Sequence, residues 1–393
     1  MIMQKDIDWN RLGFSYTETN CIVRATYTQG RWSSLRATTD KYLKIHASAT
    51  CLQYGQEAFE GLKAFRGADG KVRVFRMEDN ARRMQNSARG LYMEPVPTEL
   101  FCDAIRLAYR KNKEFLPPYE SGATLYFRPL LIGTTPRIGV GPGRDFEFVV
   151  IVSPIGPYFP SGFACTNFII DRSVDRAAPL GTGQYKTGGN YAASFRATEA
   201  AHAQGLSCLF LDAKTKRYID ECGAANFFGI YAADDGRIEG SRYVTPRSKS
   251  ILPSITNRSL MTIAKDLGMK VEQRRIPVEE LRIMSECGAC GTAAVISPIA
   301  KIIDPDKNTI YTFGEQPGKI STTLFQKLQD IQYGRCDDTH HWCTVLKSAP
   351  LDALLSATSR GVLYICDNDK QAHHFPDKPQ TLFMYLPSFS CHT

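Results

Sequence analysis

No stretch of this 393-residue chain stays apolar for the ~18 residues that a membrane-crossing helix needs. A membrane is therefore not an expected partner. No block of five or more basic residues occurs, although the net charge is +8. A nucleic-acid surface ordinarily shows a clustered basic stripe, so the mild excess suits a protein whose small ligands are anions. Cys287-Gly288-Ala289-Cys290 has no second pair at zinc-site spacing. The twelve cysteines follow no framework, so packed free thiols are expected, and no metal. Met1 to Arg11 has no apolar core of a secretion signal and no Arg- and Ser-rich transit character. A cytoplasmic protein is expected, or an organellar one if a leader has been removed. Internal repeats and low-complexity tracts are also missing.

What is there is ordinary globular material, 43% apolar and 22% charged. The length suggests two domains with ample core. The first half alternates strands and helices, an α/β pattern. Residues 71–76 alternate like a strand. Asp79 is placed to cap a helix running to about Leu91. Pro97-Thr98 opens another, with Leu100, Phe101, Ala104, Ile105 and Ala108 on one face. Residues 123–132 and 146–152 read as buried strands. Ser153 to Gly162 is dense in breakers and is the candidate interdomain linker, set at 156–165 between a domain at 1–155 and one at 166–346.

In the second half, strands are expected at 168–170, 207–211, 218–221, 226–231 and 243–245. Helices are expected at 191–203, stopped by Gly205, at 254–267 and at 318–333. The loop Gly139 to Arg144 is not a dinucleotide fingerprint, since Pro142 interrupts it and a strand follows. Residues 347–393 mix Pro, Asp, His and Cys without a long period, and read as a tail extension rather than a domain.

The chemistry gathers in four separated segments. In Gly181 to Tyr191 one lysine, Lys186, sits among glycines that let backbone approach a ligand closely. Its amine can form a Schiff base with an aldehyde, and Tyr191, five residues on, can hydrogen-bond the same group. Alone this segment would read as a surface loop. Glu221, at a strand end in Tyr-Ile-Asp-Glu-Cys-Gly, can pair with a protonated ring nitrogen and keep the ring an electron sink. Ser250 to Thr256 precedes a helix and can present amides and the Thr256 hydroxyl to a phosphate, although ordinary capping explains it equally well. Gly291-Thr-Ala-Ala294 offers a second turn of small residues, and Arg76 ends a strand with a charge suited to phosphate. Lysine, carboxylate and phosphate cradle together meet the needs of pyridoxal 5'-phosphate.

These segments, with Tyr54 to Phe65, Leu125-Tyr-Phe-Arg-Pro129 and Ile331-Gln-Tyr-Gly334 followed by Trp342, resemble the branched-chain amino-acid aminotransferases of pyridoxal phosphate fold type IV. The match runs from about Asp8 to Val345. It implies a two-domain fold, a small N-terminal α/β domain plus a larger C-terminal one with a pseudo-barrel of strands. By resemblance Lys186 is the Schiff-base lysine and proton shuttle, Tyr191 bonds the phenolic oxygen, and Glu221 the ring nitrogen. Arg76, Ile255, Thr256 and Thr292 would hold the phosphate. Tyr126 with the amides of Thr292 and Ala293 would receive the α-carboxylate, and Arg128 the second carboxylate of glutamate. Tyr54, Phe59, Lys63 and Tyr158 match positions around the side-chain pocket. Ile138 and Val140 match loop residues that reach a neighbouring subunit's site, which implies at least a homodimer. The implied reaction moves nitrogen between leucine, isoleucine or valine and 2-oxoglutarate.

Two departures stand out. Ala294 and Ser297 occupy the places of a redox cysteine pair found in some relatives, so that switch is expected to be missing. Cys222 and Ala224 follow the glutamate where a larger or hydroxylated residue can line the pocket. The rival readings are a D-amino-acid transaminase or an aminodeoxychorismate-lyase-like enzyme of the same fold, a catalytically silent binding protein, and, more remotely, a nucleic-acid binder. The run Tyr126-Phe127-Arg128 weighs against the first two.

Overall fold

Two sheets organise the molecule. The computed structural model describes residues 7–156 and 163–347, together with the backbone of 365–366. The first sheet has ten strands, eight of them in one path. Cys343–Leu346 is followed in space by Val72–Phe75, Leu62–Arg66, Thr124–Gly133, Phe146–Ile155, Ile22–Thr28, Arg36–Thr38 and Ile365–Cys366. Its central pair runs antiparallel from Thr124↔Ile155 to Gly133↔Phe146. The strand Cys343–Leu346 pairs with Val72–Phe75, so the chain returns to the first sheet after completing the second.

The second sheet has nine strands. Ile219–Cys222, Ser207–Leu211, Thr166–Asp171, Val295–Asp304, Glu286–Gly291 and Ala225–Tyr231 follow one another, and the last also pairs with the first. That pairing closes a ring of strands, the expected pseudo-barrel. Arg242–Pro246 and Lys270–Arg274 extend it.

Seven α-helices occur among the described residues: α1 (Thr50–Tyr54), α2 (Met77–Gly90), α3 (Thr98–Lys111), α4 (Gly189–Ala192), α5 (Phe195–His202), α6 (Ile255–Asp266) and α7 (Lys319–Tyr333). Met77, Ala81, Met84 and Ala88 recur at helical spacing on α2, and all are buried against the first sheet. On α3 the expected stripe of Phe101, Ala104, Ile105 and Ala108 is buried in the same cluster. Each large side chain so buried contributes roughly 1.5–3 kcal/mol. A second core fills the barrel around Phe227, Val244 and Ile302. A third joins α6 and α7 to Phe65 and Phe75 of the first sheet, and so ties the two halves together.

Local details depart from expectation in three places. Helix α2 begins at Met77, with Arg76 as its N-cap residue, and Asp79 caps nothing. Asp79 instead pairs with arginines at its own helix. The helix expected over 191–203 is two pieces, because Ser194 Oγ donates to the Tyr191 carbonyl where the run breaks. The linker read at 153–162 starts later, since Ser153, Pro154 and Ile155 belong to the long strand; residues 157–162 lie outside the described residues. The tail lies outside them too, apart from the strand Ile365–Cys366.

Candidate active site

The glycine-rich segment is not a solvated loop. The Phe59 amide donates to the Lys186 carbonyl at 2.9 Å, and the Lys186 amide donates to Ser87 Oγ at 2.9 Å. Glu57 accepts from Thr187 Oγ1 at 3.0 Å and from the Gly188 amide. A Cβ at Gly183 would lie 2.3 Å from the Ser250 carbonyl oxygen, so only glycine allows that approach. The backbone around Lys186 is thereby fixed by residues from both halves of the chain. Its Nζ is 2.9 Å from Tyr191 Oη and 4.6 Å from the centre of the Phe59 ring.

Glu221 lies on Ile219–Cys222, at the seam where the barrel closes, and is 3% exposed. Burial is the main cause that pushes its carboxyl up to about 7; Asp220 adds to this, while Arg176, the Leu252 amide and Lys186 oppose it. Asn226 Nδ2 donates to Oε1 at 2.7 Å. Oε2 forms an ion pair with the Arg176 guanidinium but accepts no hydrogen bond among the described residues, and that guanidinium also donates to the Ser250 carbonyl. A buried carboxylate oxygen with no donor is costly unless something supplies one. A protonated ring nitrogen would supply it, so this end of the site fits pyridoxal phosphate.

Lys186, Tyr191, Glu221, Phe59, Tyr126, Arg128, Thr292 and Ala293 line one cavity of about 550 Å³. A narrow cleft continues it between Gly61, Asn80, Ile255, Thr256 and Thr292. Ser254 Oγ accepts from the Asn257 amide at 3.2 Å, the capping expected of it, and the amides of Ile255 and Thr256 at the head of α6 have no intrahelical acceptor. Asn80 Oδ1 is buried without a partner in the same cleft. Opposite, Val295 closes the Gly291–Ala294 turn at φ +66, a conformation that β-branched residues seldom take. Helix head, small-residue turn and open donors together make a phosphate cradle.

The cation of that cradle is not the expected one. Arg76 lines neither the cavity nor the cleft; its Nε pairs with Asp79 at 2.6 Å, and its guanidinium lies 5.1 Å from the Trp342 ring. Arg83, two turns further along α2, lines the cavity. It is held by Glu60 through Nε at 2.7 Å and Nη2 at 2.8 Å, and Nη1 donates to the Pro253 carbonyl at 3.3 Å. Position at the helix start explains the exchange: Arg76 precedes α2 in a left-handed conformation, whereas Arg83, two turns inside it, shares the inward face with Ser87.

Lys63 lines the narrow cleft and not the larger cavity, and its Nζ donates to the Ala293 carbonyl at 2.6 Å from behind the turn. Burial alone drives its amine down to about 7. Tyr126 Oη accepts from Arg128 Nη2 at 3.1 Å, and the Arg128 guanidinium sits 5.0 Å from the Phe59 ring centre. Tyr54, Ile138 and Val140 lie outside the cavity. Tyr54 donates to the Ile138 carbonyl, and Ile138 and Val140 are 80% and 88% exposed. Tyr158 lies outside the described residues. Phe14 and Arg176 were not anticipated. Phe14 lines the cavity with its ring edge-on to Tyr126, and no motif surrounds it in sequence. Arg176 stands ten residues before the lysine, and only the fold brings it to Glu221. Ala294, Ser297, Cys222 and Ala224 all line the cavity, so both departures noted in the sequence fall at the site. Among the described residues no cluster of His, Cys, Asp and Glu could hold a metal ion, and no helix is long and apolar enough to cross a membrane.

Comparison with known proteins matches residues 57–302, more than half of the chain, to the amino-transferase class IV family. A branched-chain-amino-acid aminotransferase of Haemophilus influenzae is 45% identical over 345 residues, covering 86% of this chain and 98% of that protein. One of Helicobacter pylori is 44% identical over 341 residues, covering 86% of this chain and 97% of that protein. The crystal structure of the Escherichia coli branched-chain amino acid aminotransferase superposes with a TM-score of 0.69 at 25% identity, over 84% of this chain and 100% of that one.

Proposed function

The chain belongs to the class IV aminotransferases, and from that membership we infer that it is a pyridoxal 5'-phosphate enzyme moving amino groups between branched-chain L-amino acids and their 2-oxo acids. One observation carries the inference: Lys186 Nζ beside Tyr191 and the buried Glu221 carboxylate face one cavity that ends at the head of α6. When bound, the cofactor supplies an aldehyde for the lysine and an electron sink for the charge left at the substrate Cα.

The chain's own residues do the rest. Arg83, the amides of Ile255 and Thr256, and Thr292 would hold the phosphate. Glu221 would accept from the ring nitrogen, and the Arg176 charge beside it favours the ionised carboxylate that this requires. Tyr191 orients the lysine and the phenolic edge. The Lys186 amine would take the proton from the substrate Cα and deliver it to the cofactor's former aldehyde carbon. Tyr126 and the amides of Thr292 and Ala293 receive the α-carboxylate, and Lys63, bonded to the Ala293 carbonyl, steadies that turn. Phe14 and Phe59 offer apolar walls, where each methylene is worth ~1–3 kcal/mol of discrimination. Arg128, at the rim, meets the second carboxylate of 2-oxoglutarate or glutamate and leaves leucine undisturbed. One pocket thus serves both halves of a ping-pong cycle.

The working unit is a homodimer or larger assembly in this reading, because two apolar side chains, Ile138 and Val140, stand exposed on one loop beside Tyr54. A coupled assay of L-leucine, L-isoleucine and L-valine with 2-oxoglutarate tests the function. Turnover with the three L-substrates is expected; activity confined to D-alanine would defeat it.

A further inference from the structure

A second recess lies behind the cofactor cradle, formed by α6 and the segment around Trp342. It encloses about 520 Å³. Its lining includes four basic side chains, Arg76, Arg258, Lys265 and His340, and no carboxylate. Met261 and Trp342 add apolar surface. The transamination site uses none of these groups.

The charge around it is out of balance. Asp79 is shared by three guanidiniums: Arg76 at 2.6 Å, Arg82 at 3.3 Å and Arg258 at 3.6 Å. One carboxylate cannot neutralise three guanidiniums, and only the Arg82 guanidinium meets another acid, Glu78 at 3.4 Å. Lys265 is exposed, and its amine has no partner among the described residues. His340 is matched by Asp266 at 2.7 Å, and its ring stacks on Trp342 at 4.5 Å. Burial lowers the pKa of Arg258 from its ordinary value; Asp79 opposes this, and the neighbouring guanidiniums of Arg76, Arg83 and Arg82 add smaller lowering effects. Like charges held this close cost free energy unless an anion joins them.

The cations also have defined positions. Arg76 takes φ +49, uncommon for a residue with a side chain, and its Nη1 donates to Ser259 Oγ at 2.9 Å. Arg258 is on the same helix as Ser259, one turn from the recess floor at Thr262. We propose that this recess is a second anion site, which takes a small phosphorylated molecule with its phosphoryl group between Arg76, Arg258 and Lys265. Planar guanidiniums suit bidentate contact with phosphoryl oxygens. The volume exceeds what a bare phosphate fills, so the rest of the ligand would lie on Met261 and Trp342.

The test uses the full chain with its cofactor bound, so that the cradle at the head of α6 is already filled. Inorganic pyrophosphate is titrated calorimetrically in 0.15 M salt, where exposed charges more than ~8 Å apart are largely screened. One saturable site per chain is expected, with a change in Trp342 fluorescence on binding. The double variant Arg258→Gln, Lys265→Gln should weaken it at least tenfold while transamination continues at its usual rate. Lack of saturable binding overturns the proposal, as does binding that the double variant leaves unchanged. Neither result touches the transaminase reading, which the substrate panel tests separately.

Discussion

The two faces of α6 treat positive charge in opposite ways. On the cavity side Arg83 is buried and gripped by both oxygens of Glu60. On the recess side Arg76, Arg82 and Arg258 crowd around one aspartate. Both sets involve α2, and Arg76 and Arg83 are seven residues apart on one chain segment. Burial makes the difference. A charge taken out of water needs a dedicated partner and good geometry, as Arg76 at 12% exposure has in Asp79, whereas Arg82 and Arg258, at 58% and 43%, can stand in surplus because water still screens them. The cavity matches its cation with one carboxylate, and the recess side sets three guanidiniums around a single one.

The largest way to break this comparison is at the cavity's centre. Lys186→Ala removes the amine that carries the cofactor and the proton. Turnover should fall by about 10³-fold or more, and the visible absorbance of the bound cofactor should change. Turnover within tenfold of the parent would mean that the chemistry lies elsewhere. The next largest effect is on stability. Glu60→Ala leaves the Arg83 guanidinium buried without its carboxylate, and about 3–5 kcal/mol should be lost in urea unfolding of the cofactor-free protein. Added cofactor should restore part of it, because its phosphate meets the same guanidinium. A loss under 1 kcal/mol would show that Arg83 finds water on its own.

Much of this was legible in the sequence, and the misses have a common cause. Lys186, Tyr191 and Glu221 could be named because each sits in a short segment whose glycines or strand-end position limit what it can do. The cradle at Ser254 to Thr256 was legible as a helix start, and it is one. Arg76 and Arg83 could not be told apart by chemistry, since both flank or occupy the same helix. Only the start of α2 at Met77, earlier than Asp79 suggested, fixes which arginine faces inward. Arg176 and Phe14 are brought in by tertiary contact alone. The second sheet was half visible: Glu286–Gly291 and Val295–Asp304 escaped notice because glycine, alanine, cysteine and proline dilute their alternation.

Titration separates the two faces by a smaller margin. Glu221 ionises at about 7 in the folded protein, well above its ordinary value of 4.5, chiefly through burial. The folded state therefore holds a proton that the unfolded chain has released. Stability from this source is full below pH 4.5 and is lost as pH rises through about 7. Unfolding curves of the cofactor-free protein between those limits should show the decline, and Glu221→Gln should flatten it. A decline of equal size in the variant would assign it to another group. Lys63 runs the other way: its amine is pushed down to about 7 from 10.5, so it contributes stability above 10.5 that is lost as pH falls through 7.

The smallest expected effect is on the recess side, and it decides whether the comparison is sound. Arg258 keeps 43% of its side chain exposed, and its contact with Asp79 is long at 3.6 Å. Arg76 and Arg82 would still hold Asp79 without it, so no buried charge loses its partner. Arg258→Gln should change unfolding stability by no more than about 0.5 kcal/mol in either direction, with a gain more natural than a loss because a repelled charge has gone. A cost as large as that of Glu60→Ala would mean that the guanidiniums behind α6 brace the fold. Their surplus would then need no anion to explain it, and the two faces of the helix would be built on the same principle.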